Sequence, residues 1–448
     1  MTDFTIILRS LRARLFSTVT TVLTVAIAVG LMLVLLSMRN AGQQAFQRGT
    51  GNMHLLVSRD QSPLVAILNG IFYANPPQRP ITWQKYQQIA NGFPLEWAIP
   101  TQQGDSYNGL PVLATVPEFF TKFQPNEGEP WALASGRFLR NANDPHPTGE
   151  KATNKPDSHA YEIVLGSQAA KSTGLKLGDE IHLTHGIAQS RQLGEESDHA
   201  PHVHDEFNFR IVGILKPTGS AHDRALFTHI DGGWVLHAHD RRVHDNPKIK
   251  STSLADITEN DRLITGIYAR VITRPGQRMS ASQQTVFDQL RRDATITVAD
   301  PVQQVNALFR IVSNIDTIFI ALAATVLLSS GIGIMLALYN SMHERRRQIA
   351  VLRVLGCSQA RIFSLILTEA AIIGAAGAVL GLGFAVIGTF AAAGVLKTQI
   401  GLAISPSFEP VMTLMVMVGA VLLGAAAGII PALLAYRTSV ANNLKPVG

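Results

Sequence analysis

The chain has 448 residues, 46% of them apolar and only 16% charged, against about 25% charged in an average soluble protein. Its mean hydropathy of +0.17 excludes an ordinary soluble domain and points to a membrane protein. The net charge of +6 is not read as nucleic-acid affinity, because the basic excess sits in short segments beside apolar runs, and the single cysteine, Cys357, excludes an internal disulfide framework.

At the N-terminus Arg9, Arg12 and Arg14 precede an apolar run from Phe16 to Met38. A hydrocarbon core of about 30 Å needs about 20 helical residues, so this run is long enough to span a membrane. It exceeds a signal-peptide core of about 7–15 residues and continues as "LLSMRNAGQQ", with no small-x-small cleavage site, so a retained anchor is expected. The polar "RNAGQQAFQRG" that follows has no strong helix breaker before "GTG" at Gly49–Gly51, which predicts about three further helical turns.

The segment from Arg39 to Asn314 is polar and 276 residues long. "MHLLVSR", "YEIVLG", "EIHLTH", "FRIVGIL", "GIYARVITR" and "ATITVAD" predict strands, and "TWQKYQQIA" and "SASQQTVFDQLRRD" predict helices, giving a mixed α+β domain. The two ends of the segment are expected to build one subdomain, with residues 112–262 inserted as a second. Of 14 histidines, 11 fall within the 86 residues from His159 to His244. His182 and His185 are followed by His199, His202 and His204 beside Asp205; His237, His239 and His244 form another group. Neutral imidazoles with a carboxylate suit zinc, and His-x-His on an extended chain points both rings the same way. The expected metal group is His199, His202, His204, Asp205, His237, His239 and His244. The alternative is a solvated insertion over residues 186–206 that holds metal only weakly.

Asp300 is a good N-cap and Pro301 suits the first helical position, so a helix of about 40 residues, about 60 Å long, is expected to begin there as a stalk and enter the second span. Apolar runs at 315–339, 362–395 and 410–436 complete four spans. Gly377 with Gly381, and Gly424 with Gly428, form small-xxx-small pairs that permit close helix approach. Glu369 reads as an interfacial carboxylate in preference to a proton relay, and Pro431 is expected to kink or end the fourth helix.

Between the second and third spans lies "HERRRQIAVLRVLGCSQARI", with five arginines. Residues 1–15 carry a net +2, residues 341–361 a net +4 and the C-terminal tail +2, whereas residues 39–314 hold 27 basic and 27 acidic side chains. The positive-inside rule then predicts both termini in the cytoplasm and residues 39–314 outside it. No HExxH, GxSxG or paired-cysteine motif is present, and the nearest approach to a phosphate-binding loop, Gly166–Ser172, lacks the glycine before its lysine, so a catalytic role is not expected.

Several strings together, "RSLRARLFSTVTTVLTVAIA", "LASGRFL", "IVLGSQAAKSTGLKLGDEIHL", "HERRRQIAVLRVLGCSQARIF", "TEAAIIGAAGAVLGLGFAV" and "GIIPALLAYRTSVANNLKP", give a chain that resembles the MacB/FtsX-type ABC transporter permeases. The resemblance implies a homodimeric bacterial inner-membrane protein of four transmembrane helices with stalk extensions. It implies a large α+β periplasmic domain of two subdomains inserted between helices 1 and 2. The implied division is 1–48 (N-terminus, first helix and stalk), 49–300 (MacB-like core domain) and 301–448 (stalk, helices 2–4 and a coupling loop at 341–362).

It further implies no cofactor in this chain beyond the zinc question, with ATP and magnesium held by a separate cytoplasmic ATPase dimer, and a periplasmic or outer-membrane partner. Expected functions are transport or extrusion, regulation of a periplasmic cell-wall hydrolase, or lipoprotein extraction. Glu344, Arg345, Arg346, Arg347, Ile349, Leu352, Arg353 and Leu355 form a short amphipathic helix closed by a left-handed Gly356, with apolar anchors and arginines suited to a groove on the ATPase. Without the resemblance, the same residues read as a basic loop that fixes topology and snorkels to headgroups.

Overall fold

A computed structural model describes residues 3–77, 79–141, 144, 158–185, 206–246, 248–274, 277, 280–399 and 407–437. Helices α1 (Asp3–Ala13) and α2 (Leu15–Gln47) lead into β1 (Leu55–Ser58), α3 (Pro63–Gly70), β2 (Ile81–Thr82), α4 (Trp83–Gly92), β3 (Leu95–Tyr107), β4 (Leu110–Thr115), α5 (Glu118–Lys122) and β5 (Leu133–Gly136). Then come β6 (Glu162–Leu165), α6 (Ser167–Thr173), β7 (Glu180–Ile181), β8 (Thr184–His185), β9 (Phe209–Leu215), β10 (Leu226–His229), α7 (Ile230–Asp245), β11 (Leu263–Ile264), β12 (Gly266–Val271), α8 (Gln283–Leu290) and β13 (Thr297–Ala299). Helices α9 (Pro301–Val354), α10 (Gln359–Gln399) and α11 (Pro410–Tyr436) follow. The described residues divide into a membrane unit (3–42, 311–399 and 407–437) and a sheet unit (43–310).

In the sheet unit one sheet runs β13-β1-β12-β3-β4-β10-β6-β9-β5, with β7 on β9 and β8 on β3. Strand β1 lies antiparallel between β12 and β13, with Leu56 opposite both Tyr268 and Ala299, so the two ends of the polar segment are neighbours. The same sheet continues through the inserted residues by way of β3 and β4. These two strands, together with β5, β10, α3 and α7, are additions to the sequence-predicted elements, and "EIHLTH" forms two dipeptide strands where one was expected. The signal for β3–β4 is Asn108-Gly109, whose φ values of 49° and 78° make the two-residue hairpin turn that closes Tyr107 onto Leu110. Helix α7 carries two poor helix formers, Gly232 and Gly233, in its first turn. They are small because a Cβ would stand 2.2 Å from the Ala160 carbonyl oxygen and 2.6 Å from Gln102 Oε1, respectively.

The largest core is aromatic: Phe119, Phe123, Trp131, Phe227, Tyr73 and Tyr268 are buried in it. The ends of α2 and α9 join it through Phe46, whose ring lies 4.7 Å from Phe72 and 5.5 Å from Phe309. All four tryptophans, at 83, 97, 131 and 234, belong to this unit.

Among the described residues of the molecule, four helical stretches are long and apolar enough to cross a membrane: Leu15–Gln44, Thr317–Met342, Gln359–Val395 and Pro410–Tyr436. Gly377 and Gly381 lie against α2, where an added Cβ would come within 2.5 Å of Val25 and 2.8 Å of the Ala26 carbonyl oxygen. Gly424 and Gly428 lie against α10, where it would come within 2.9 Å of the Ala370 carbonyl oxygen and 2.7 Å of Ala370 Cβ. Pro431 sits inside α11, which continues to Tyr436.

Candidate functional sites

The first site is the turn between α9 and α10. Asp300 caps α9, accepting from Gln303 N at 3.0 Å, and the helix then runs unbroken for 54 residues to Val354. The amphipathic segment is therefore the last three turns of this helix and not a separate one, because no glycine or proline interrupts the chain between the second span and Val354. Gly356, at φ 92°, ends it: Gly356 N donates to Arg353 O at 3.1 Å and Cys357 N to Leu352 O at 3.0 Å, a Schellman cap.

Glu344, Arg345, Arg346 and Arg347 are helical in backbone, and their side chains lie outside the described residues. The expected anchors separate. Ile349 is buried beside Met342, Ile362 and Ile366 inside the membrane unit, Leu352 and Arg353 are half-buried, and Leu355 is 77% exposed next to Val354 at 63%. Ile349 is thus a packing residue, since its helix face meets α10 and α11, while Val354 and Leu355 emerge at the turn. Close by, the buried Glu369 of α10 pairs with Arg14 and accepts from the Ser10 hydroxyl, and Arg14 also reaches the Ala337 carbonyl at 3.4 Å. Ser10, Arg14 and Glu369 line a cleft of about 800 Å³ together with Met342, Ile349 and Leu352. Arg361 fastens the start of α10 to Asp3.

The histidine-rich region resolves into separate uses. His199, His202, His204 and Asp205 lie outside the described residues. His237, His239 and His244 are on α7, not on an extended chain; at 100° per residue, positions two apart face different directions, so they do not converge on one ion. His239 is buried with Nδ1 3.0 Å from Thr252 Oγ1, and His244 lies near the helix end. His182 Nδ1 meets the Phe207 carbonyl at 3.2 Å, His229 caps α7, and His159 sits 2.6 Å from Glu162, which Arg137 also grips with both terminal nitrogens.

His222 is enclosed by the aromatic core. Its Nε2 can only donate to the Gly49 carbonyl at 3.2 Å, so Nδ1 accepts from the Tyr73 hydroxyl at 2.6 Å, and burial lowers its pKa to about 4.

His237 instead converges with two residues from other elements. Asp105 lies on β3, within the irregularity between Gln103 and Ser106, and is the cross-strand partner of His185 on β8. Its Oδ1 is 3.1 Å from His185 Nδ1 and its Oδ2 is 3.4 Å from His237 Nε2, and the two rings stand at 78° with centroids 5.0 Å apart. Burial raises the Asp105 carboxyl, but the His185 and His237 rings more than reverse this and hold it well below the usual carboxylate range; the Asp105 carboxylate in turn raises His185. Asp105 is absent from the metal group expected from sequence; in "QQGDSY" Gly104 and the register irregularity break the strand alternation that would have marked it.

Comparison with known proteins places these features in a family context. Residues 18–309 match the family described as MacB-like periplasmic core domain, and residues 320–440 that described as FtsX-like permease C-terminal. A macrolide export ATP-binding/permease protein MacB of Nitrobacter winogradskyi is 38% identical over 366 residues, 80% of this chain and 46% of that protein. The protein of the same name from Wolinella succinogenes is 24% identical over 381 residues, 83% of this chain and 50% of that protein. The chain thus spans about half the length of these curated relatives. Among solved structures, the extracellular domain of the noncanonic ABC-type transporter YknZ from Gram-positive bacteria matches with 7% identity and a TM-score of 0.25, covering 55% of this chain and 98% of that one.

Proposed function

Because the chain belongs to the family of MacB-type permeases, with a MacB-like periplasmic core domain followed by an FtsX-like permease domain, we propose that it is the membrane subunit of an ABC transporter powered by a separate cytoplasmic ATPase. In this reading two copies pair in the bacterial inner membrane with both termini in the cytoplasm. The core domain, 49–300 with 112–262 as its inserted part, moves as ATP is hydrolysed, while 1–48 and 301–448 supply the membrane helices and stalks. Extrusion of an organic molecule, the kind of activity for which the relatives are named, is the favoured outcome. Hydrolase regulation or lipoprotein extraction would use the same motion.

The observation that carries this reading is helix α9. It starts directly after β13, packs Val305 and Phe309 into the aromatic core, and ends 54 residues later at an arginine-rich turn with Val354 and Leu355 exposed. A continuous helix that begins in the core gives an ATPase at its other end a lever, and exposed apolar side chains in an arginine-rich stretch of sequence suit a groove with an acidic rim.

Replacing Val354 and Leu355 with Asp is expected to leave the protein inserted but to abolish ATPase co-purification. The half-buried Cys357 beside them should react with an impermeant thiol reagent only in opened cells. Undiminished co-purification would end the docking role, and labelling in intact spheroplasts would invert the orientation.

A further inference from the structure

We propose that Asp105, His185 and His237 form a zinc site in the sheet unit. Three observations carry it, and none depends on the permease reading.

The first is convergence. One donor atom from each residue lies within 4.8 Å of the other two, and the three come from a long strand, a two-residue strand and a helix. The cross-strand pairing of Asp105 with His185 fixes two of them by backbone register. The third is delivered by α7, which the small Gly232 and Gly233 allow to seat closely on the sheet.

The second is distance. His237 Nε2 is buried without a hydrogen-bond partner, and its 3.4 Å to Asp105 Oδ2 is longer than the roughly 2.7–3.2 Å of an N–H···O bond. It fits the edge of about 3.3–3.4 Å between two ligands held at about 2.0–2.1 Å by a tetrahedral zinc. His185 Nδ1 stands 3.1 Å from the other carboxylate oxygen, Oδ1, a hydrogen bond that a bound zinc would replace. His185, 49% exposed, is the ring able to swing in and bring all three donors to zinc-bonding range.

The third is the donor set. Two imidazoles and one carboxylate, with no thiolate, suit zinc and the neighbouring borderline divalent ions better than copper(I), and two nitrogens disfavour magnesium and calcium. The buried carboxylate carries the negative charge that a dication offsets, and Asp240 acts electrostatically on His185 from beside it. Three protein ligands leave a fourth position to water or to an exchanging donor, the arrangement of a site that accepts and releases its ion.

The test uses the full chain in detergent, stripped with chelator and titrated with zinc against a chromophoric competitor. Wild type is expected to bind zinc at micromolar or tighter affinity. His185→Ala and His237→Ala should each weaken this ion's binding at least about tenfold, while the triple variant His199→Ala, His202→Ala, His204→Ala should retain it. Cobalt(II) added to stripped wild type should give the intense visible bands of four-coordinate geometry, a readout that needs no variant to fold, and excess magnesium should not bleach them. Millimolar binding, a pale six-coordinate cobalt spectrum, or loss in the triple variant with none in His185→Ala and His237→Ala would overturn the proposal. In that case the three residues are an ordinary hydrogen-bonded cluster.

Discussion

In the sheet unit the Phe119 ring lies 5.0–5.5 Å from those of Phe120, Phe123, Trp131 and Phe227, whereas in the membrane unit glycines of α10 and α11 face Val25, Ala26 and Ala370 with no room for a Cβ. The two regions exclude different solvents. In water, burying large rings removes apolar area and supplies the driving force. In lipid that gain is absent, and helices associate by bringing backbones close, which small residues permit. Large apolar side chains of the membrane unit, such as Phe16 at 84% and Ile387 at 69% exposure, accordingly face outward.

The comparison breaks if both regions answer a cavity or a methyl group alike. The largest effect is expected from Phe119→Ala, which empties the centre of the aromatic core and should cost about 3–5 kcal/mol. Because every tryptophan lies in the sheet unit, the drop of roughly 10 °C in the tryptophan-fluorescence transition measures it directly. A shift under about 2 °C would mean that this core does not limit the unit's stability.

Acid comes next. His222 is held neutral with a folded-state pKa of about 4, below an unfolded value of about 6.5. Between those values the unfolded chain takes up a proton that the folded one refuses. Stability is therefore complete above pH 6.5, falls as pH drops toward 4, and levels off below. The loss amounts to about 3 kcal/mol, read as a falling fluorescence midpoint that flattens in His222→Gln. An unchanged slope in that variant would assign the acid sensitivity to other groups.

The smallest effect should come from Gly381→Ala. Its added methyl meets Val29 and the Ala26 carbonyl within 2.8 Å, and overpacking of this kind costs about 1–3 kcal/mol, less the helix propensity that alanine adds. Cys357, the sole thiol, reports it as earlier heat-induced reactivity, with the tryptophan transition moving less. Equal movement of both signals would show that the two units melt as one.

What could be read in the sequence divides along the same line. The spans were legible because about 20 consecutive apolar residues have no other reading, and Asp300-Pro301 marked the start of α9; Gly356 marked its end but was assigned to a separate short helix, because the polar run at 343–348 looks like a loop between spans. Strands β1, β6, β9 and β12 were legible from alternation or short apolar runs. Strand β3 was not, because Pro100, Gly104 and Asp105 interrupt its pattern. The zinc-type cluster was half legible. His185 and His237 stand in a visible concentration of histidine, but what selects them is a cross-strand register and the close seating of a helix, and neither is local.

Strand β1 also has a history in time. Its residues Leu55, Leu56 and Val57 are fully buried, yet both flanking strands, β12 and β13, lie more than 200 residues later. A chain made from its N-terminus at about 5–20 residues per second leaves β1 unpaired for on the order of 10–40 s. During that interval an apolar segment stands just after the first membrane helix with neither of its strand partners made, so closure of this end of the sheet waits for nearly the whole polar segment.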